Sequence, residues 1–416
     1  MEAKKFTYFP SLSAGSFRSA LTKDKHFADG TTVKFFNQEY PEQWRHPYFL
    51  ITAGHAYSKP EFRKDMGLDD NVLVFGDSGG FQIATGALKW DTTIREKIFH
   101  WLEHNADIAA NIDIPPRFKY AGQYHHAKQL SLENFKWFEK NQTGKTKFLN
   151  ILQGTNTNEY DDWYNDFKDF EFQGWGIGGI RQFTNFMYSV ALLLKERAFE
   201  KKNVEYVHFL GISKISDFFI LATLQKLMNK LTDNRVLVTT DSSSPGQYPV
   251  YGTYLHSYNL KGGIFTDLYL PKNGKYRKKT HINKGNNDLF VDPNQHIPCS
   301  LGCPACKDFT YDLLSGLNDE GLDMYTQEAM TRMVVHNTHL YVDLQHKVND
   351  LVDSHIELLE TFVSKDLYDI LNSMHEMFAD PDSAIEVFKR YRKTYSKFGG
   401  EGQATVNSNI LNQFFN

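Results

Sequence analysis

Cysteine is the scarcest residue of this 416-residue chain: there are three, all between positions 299 and 306. An odd, clustered set is a poor disulfide framework and a good metal knot, which fits a reducing compartment. An excess of one charge is also missing. Lys and Arg number 46 against 50 Asp and Glu, a net charge of −4, which excludes a globally basic nucleic-acid binder and leaves only a local basic patch open. No apolar run approaches the ~18 residues of a membrane helix. The opening Met1-Glu2-Ala3-Lys4-Lys5 lacks the apolar segment of a signal peptide. The expectation is a cytoplasmic protein with no membrane partner. Repeats of solenoid period, low-complexity tracts and a GxGxxG after an early strand are all absent, which argues against solenoid and Rossmann architectures.

A recurring unit is present. Short apolar or β-branched runs end in a polar or glycine turn and are followed by a helical stretch. The runs are 48–52, 72–75, 106–112, 147–152, 175–177, 204–210 and 236–240. The later turns, at Asp77, Asp113, Gln153, Gly179, Gly211 and Asp241, are 36, 40, 26, 32 and 30 residues apart. That is the length of a strand–loop–helix–loop unit and predicts a TIM-type (β/α)8 barrel of the α/β class. Helices are expected over 216–231, 328–348 and 350–372, and further helix in 373–416. The barrel region is assigned to 1–290, a zinc-binding subdomain inserted late in the barrel to 291–345, and a helical region completing the barrel to 346–416.

Two sets of residues carry chemistry. Cys299, Cys303 and Cys306, spaced C-x3-C-x2-C, offer three sulfurs to one ion; zinc wants a fourth ligand, which His336 or His339 can supply. Three thiolates leave a zinc weakly electrophilic, so its role is structural. Asp77, Asp113 and Asp241 each end a strand-like run. Each also fits an N-cap before the next helix, but strand ends converge on one pocket in a barrel. Two carboxylates there can divide the roles of nucleophile and general acid.

In this order, Asp77-Ser78-Gly79-Gly80-Phe81-Gln82, Gln153-Gly154, Gly178-Gly179, the strand ending in Asp241 and the Cys-Cys-Cys-His knot resemble the tRNA-guanine transglycosylase family. The likeness spans about residues 45 to 345 and includes Phe265-Thr266 and Lys272-Asn273 ahead of the cysteines. It implies a barrel enzyme that exchanges guanine in a polynucleotide for a 7-deazaguanine base through a covalent enzyme–ribose intermediate. By the resemblance, Asp241 is the nucleophile and Asp77 the general acid/base. Asp113 and Gln153 read the guanine edge, Gln153 on the carbonyl side. Gly178 and Gly179 bring a backbone amide to O6, Ser78 belongs to the substrate site, and Phe81 and Leu210 are the walls of the base slot. Cys299, Cys303, Cys306 and His336 hold one structural Zn2+ per chain, His336 being preferred because His336-Asn337 matches the family pair. The stretch Lys272, Lys275, Arg277, Lys278 and Lys279 is placed on nucleic-acid phosphates.

The departures fall in the parts that read nucleic acid and modified base. The tRNA enzymes have C-x-C-x2-C, and an Arg-rich turn where this chain has Ser242-Ser243-Ser244-Pro245-Gly246. Ile180-Arg181-Gln182-Phe183 replaces their Val-Gly-Glu, an arginine suiting a neutral cyano group better than a cationic amine. This pattern resembles the DNA-acting branch of the superfamily, bacterial or phage, which inserts 7-cyano-7-deazaguanine. The expected partners are DNA, with tRNA as the alternative, a 7-deazaguanine base and a second copy of the chain. The competing readings are a queuine-type tRNA enzyme, a non-catalytic partner subunit and a zinc-knot nucleic-acid-binding protein without catalysis.

Overall fold

A computed structural model describes residues 2–11, 19–21, 23, 25–27, 29–179, 182–269, 292, 294–317, 323–354 and 359–400. Each of the seven apolar runs forms a strand: β2 (Tyr48–Thr52), β3 (Leu73–Asp77), β4 (Ile108–Ala110), β5 (Lys147–Leu152), β6 (Gly174–Ile177), β7 (Tyr206–Phe209) and β8 (Leu237–Ser242). An eighth, β1 (Thr7–Pro10), was not expected from the sequence. It is four residues long and ends at a proline that cannot continue a ladder.

The order is β1-β8-β7-β6-β5-β4-β3-β2, with every pair parallel. A parallel bridge between Ser11 and Leu50 joins the two edges, so the sheet nearly closes into a TIM-like barrel. Parallel pairing in register puts the carboxyl ends of all strands on one rim, where Asp77 lies opposite Thr52 and Asp241 opposite Phe9.

The interior is packed by alternating bulk. A side chain at Gly174 would come within 2.9 Å of Leu149 Cδ2, and one at Gly176 within 2.5 Å of Ile151 Cδ1. Every second residue of β6 is therefore absent in bulk so that the inward residues of β5 can fill the bore. Outside lie α1 (Gly80–Thr85), α2 (Thr92–Asn105), α3 (Tyr124–Asn141), α4 (Thr157–Phe167), α5 (Phe183–Lys195) and α6 (Ile215–Leu231). Asp91 caps α2 and Asn156 caps α4, each accepting from the third residue beyond it.

After β8 the chain leaves the barrel. An antiparallel pair, β9 (Thr253–Asn259) and β10 (Ile264–Tyr269), is followed by the cysteines, then by the short pair β11 (Ser315–Leu317) and β12 (Asp323–Tyr325). The long helix α7 (Gln327–Ser354) returns to pack on α6 and β1. The helix expected over 350–372 is divided: Asp350–Ser354 finishes α7, and Lys365–Asn372 begins α8 (Lys365–Ala379), whose cap Ser364 accepts from Leu367 N. Helix α9 (Ala384–Phe398) packs on α8 and α5. Lys272, Lys275, Arg277, Lys278 and Lys279 lie outside the described residues, as does Arg181.

His46, just before β2, is buried and bonds the carbonyl of Tyr8 on β1 at 2.7 Å, so it ties the two closing strands together. Burial pushes its pKa down to about 4. The unfolded chain takes up that proton near pH 6.5 while the folded chain resists it. Stability from this group is therefore full above about pH 6.5 and lost as pH falls towards 4, by about 3 kcal/mol. Urea midpoints measured from pH 7.5 to 4.5 should fall accordingly, and the slope should shrink in His46→Gln.

Candidate active site and metal centre

The rim of the barrel collects the three aspartates. Asp77 ends β3; Thr52 Oγ1 donates to its Oδ2 at 2.9 Å and Gly79 N–H to its Oδ1 at 3.2 Å. Burial raises its pKa, and the charge of Asp241 adds to the rise. The two glycines that follow have separate jobs. Gly79 adopts φ +92°, which only glycine takes without strain. A Cβ on Gly80 would lie 2.2 Å from the Asp113 carbonyl oxygen, so its bareness admits the neighbouring strand end. Ser78 is fully buried and donates to the carbonyl of Asn111 at 3.1 Å, fastening β3 to the end of β4.

Asp113 is buried and accepts from Gln153 Nε2 at 2.7 Å; burial pushes it up to about 7, helped by the nearby charge of Asp77. The other amide atom, Gln153 Oε1, is buried without a hydrogen-bond partner among the described residues. A buried polar atom left unpaired is costly, and this one stands where Gly178 and Gly179 leave space: Cβ atoms there would approach it to 2.9 and 3.3 Å. In this orientation Gln153 presents an acceptor, suited to a ligand N–H rather than to the carbonyl that the resemblance implied. The Gly178 carbonyl accepts from the Tyr160 hydroxyl at 2.8 Å, and the Gly179 carbonyl accepts from the Arg117 guanidinium. Leu210, Gly211 and Gly179 line one cavity with Arg117, Phe183 and Asp217. Phe81, at the start of α1, and Phe118, beyond β4, stand together outside that lining, 42% and 37% exposed, with rings 5.1 Å apart and 86° between planes.

Asp241 does not cap the next helix. Its Oδ1 accepts from Gly211 N–H at 2.8 Å and lies 3.3 Å from His208 Nε2. Among the described residues no donor reaches Oδ2. His208 was not foreseen. It is fully buried inside the barrel, stacked on Phe75 at 3.9 Å, with Nδ1 2.8 Å from Thr239 Oγ1. A proton on Nε2 lets the ring donate to the carboxylate while Nδ1 accepts from Thr239. Thr52 was also missed. The signal for both is placement: His208 lies two residues back from Leu210, the last of its apolar run, and Thr52 pairs with Asp77 across the ladder.

The second centre lies beyond β8. Cys299, Cys303, Cys306 and His336 bring one ligand atom each within 4.8 Å of one another. His336 Nδ1 is 3.6, 3.4 and 3.2 Å from the three sulfurs, and Cys303 Sγ is 4.0 and 3.4 Å from the others. A tetrahedral zinc with sulfur at about 2.3 Å separates its sulfurs by about 3.8 Å, so the cluster could hold one zinc ion. As bare thiols the three are in conflict: contacts from Cys303 push Cys299 down, Cys299 pushes Cys303 up, and burial pushes Cys306 up. Outer contacts fix the ligands. His336 Nε2 bonds the Leu255 carbonyl at 2.7 Å, Tyr254 stacks on its ring at 4.2 Å, and Gly302 N–H donates to Cys299 Sγ at 3.2 Å. Arg332, fully buried, grips the carbonyls of Ala305 and Lys307 and so holds the C-x2-C turn to α7. His339 points elsewhere, 2.8 Å from the Tyr40 hydroxyl.

The sequence matches no protein-family model and no curated protein.

Purified protein should contain one zinc per chain by elemental analysis. Cys303→Ala and His336→Ala should lose it and melt at lower temperature, whereas His339→Gln should keep it. Zinc retained in His336→Ala and lost in His339→Gln would reverse the ligand assignment.

Proposed function

We propose that the protein is a zinc-containing guanine transglycosylase that exchanges guanine in DNA for a 7-deazaguanine base, with 7-cyano-7-deazaguanine the incoming base. The observation that carries this reading is the contrast between two carboxylates on one rim. Asp241 has one oxygen held by Gly211 and His208, with Oδ2 open to a reacting carbon. Asp77 is pushed towards its protonated form by burial. A carboxylate held by oriented donors beside one that burial pushes towards its neutral form is the pairing expected of a nucleophile and an acid.

In the proposed reaction Asp241 Oδ2 attacks C1′. The C1′–O bond forms as C1′–N9 breaks, the electron pair leaves with guanine, and Asp77 gives the departing base a proton. The incoming base then attacks C1′ through its N9, Asp77 takes the proton from that nitrogen, and Asp241 is released. Asp113 and Gln153 orient the base, and Phe81 and Leu210 enclose it. The guanine must leave the stack of a duplex to reach the pocket. Zinc, held by Cys299, Cys303, Cys306 and His336, supplies structure and no bond to substrate. The absence of any basic residue from Ser242 to Gln247 favours DNA over tRNA as the polymer.

Labelled guanine and labelled 7-cyano-7-deazaguanine offered with DNA and tRNA in parallel should label DNA. Label confined to tRNA overturns the DNA reading, and label in neither overturns the enzyme. Asp241→Asn should form no covalent adduct on denaturing gels.

Asp113 adds a pH test. An ionised carboxylate is needed to accept from guanine N1–H and the amino group, and below pH 7 the free protein must first release a proton. Guanine affinity should therefore fall as pH drops, about tenfold per unit below pH 6, and level off above pH 8. A flat calorimetric profile from pH 5 to 8 removes Asp113 from the edge-reading role.

A further inference from the structure

The mouth of the site has a composition its floor does not share. From Ser78 to Trp90 there is no acidic residue, and from Ile114 to Leu132 there is none either; the second segment carries Arg117, Lys119, His125, His126 and Lys128, the last paired with Asp162 and Asp166. The first segment contains α1, and the second runs from beyond the end of β4 into the first turns of α3. They meet where Phe81 and Phe118 touch. Phe118 has φ +53°, a left-handed conformation that costs a bulky residue, and it keeps its ring 37% exposed between two cations. Lys119 Nζ lies 5.1 Å from the centre of the Tyr120 ring. Exposed aromatics interleaved with cations are the composition of a surface that stacks bases and neutralises phosphates.

We infer that Phe118, flanked by Arg117 and Lys119, is a stacking platform for the nucleobase next to the reacting guanine on a DNA strand. The ring geometry selects this occupant. Consecutive bases in a helix lie parallel, yet the Phe81 and Phe118 rings are 86° apart. Two flat ligands, one on each ring, are two bases no longer stacked on each other, as on either side of a flipped step. Charge agrees: Asp77, Asp113 and Asp241 stand at or just beyond the strand ends, whereas Phe118 itself is flanked by Arg117 and Lys119. The platform rests on the transglycosylase reading only for the identity of the base placed on Phe81.

The test is anisotropy with a short single-stranded oligodeoxynucleotide containing one guanine, beside calorimetry with free guanine. Glycine accepts φ +53° without strain, so Phe118→Gly should melt no lower than wild type. It should weaken oligonucleotide binding about tenfold, in line with loss of one stacked base, and leave free guanine affinity unchanged. Phe118→Tyr should bind the oligonucleotide as wild type does. Unchanged oligonucleotide affinity in Phe118→Gly overturns the platform. An equal loss for free guanine also overturns it, because Phe118 would then belong to the base slot. A Phe118-dependent affinity for an oligoribonucleotide alone keeps the platform and moves it to RNA. Anisotropy needs no turnover, so Phe118-dependent binding without base exchange sinks the enzyme reading and leaves the platform standing.

Discussion

The polar residues buried along α7 are the constraint on which the rest depends. Arg332, His336, Asn337, His339, Gln345 and Asn349 are all within a few per cent of full burial, and a buried polar group must find a partner. Arg332 takes the carbonyls of the cysteine loop, and His336 faces the sulfurs. Asn337 accepts from Leu255 N–H at 3.0 Å and donates to the Pro245 carbonyl at 3.4 Å, just past β8, the strand that carries Asp241. Gln345 accepts from Tyr8 N–H at 2.7 Å, and Asn349 donates to the Phe6 carbonyl at 2.9 Å, both at the closing strand β1. One helix thus joins the candidate metal centre, the segment after Asp241 and the seam of the barrel. Removing one partner leaves another stranded, at about 1–3 kcal/mol each. That links a possible metal site to the strand ends that carry the three aspartates.

A second constraint acts on the rim. Neighbouring parallel strands end close together, and side chains from adjacent ends compete for the same space. The chain resolves this with glycine on one strand and a functional side chain on the next: Gly80 beside Asp113, and Gly178 beside Gln153. The glycines of Asp77-Ser78-Gly79-Gly80 therefore act first on protein packing, one turning the chain and the other making room. What they make room for is the Asp113–Gln153 pair, whose Oε1 finds no hydrogen-bond partner among the described residues and is an acceptor open to a ligand or a water.

Much of this was legible in the sequence because the barrel repeats one unit, and its turns carry residue types that strands avoid. Asp77, Asp113, Gln153 and Asp241 could be picked out by ending apolar runs, and the cysteines by spacing. The strand β1 could not, since four residues ahead of a proline carry no pattern until β8 supplies a register. His208 could not be picked out either. A histidine inside an apolar strand reads as core, and only the neighbouring strands reveal Phe75 under its ring, Thr239 on one nitrogen and Asp241 on the other. The choice between His336 and His339 turned on three residues of helix, which rotate their side chains by about 60° relative to each other, one towards sulfur and the other towards Tyr40.

A net charge of −4 excludes a globally basic nucleic-acid binder, but a sum is the wrong quantity for a single site. Field strength at a site depends on which charges face it and how well water screens them. The three rim aspartates sit low in the pocket, tied to Thr52, Gln153, Gly211 and His208, so their charge is spent locally on oriented donors. Lys119, beside Phe118, is exposed and acts at longer range. On the proposed reading, the carboxylates gain force only once a base has displaced water from the floor, where lower polarisability strengthens each remaining interaction. Attraction at the rim and chemistry at the floor can thus carry opposite signs within one nearly neutral chain.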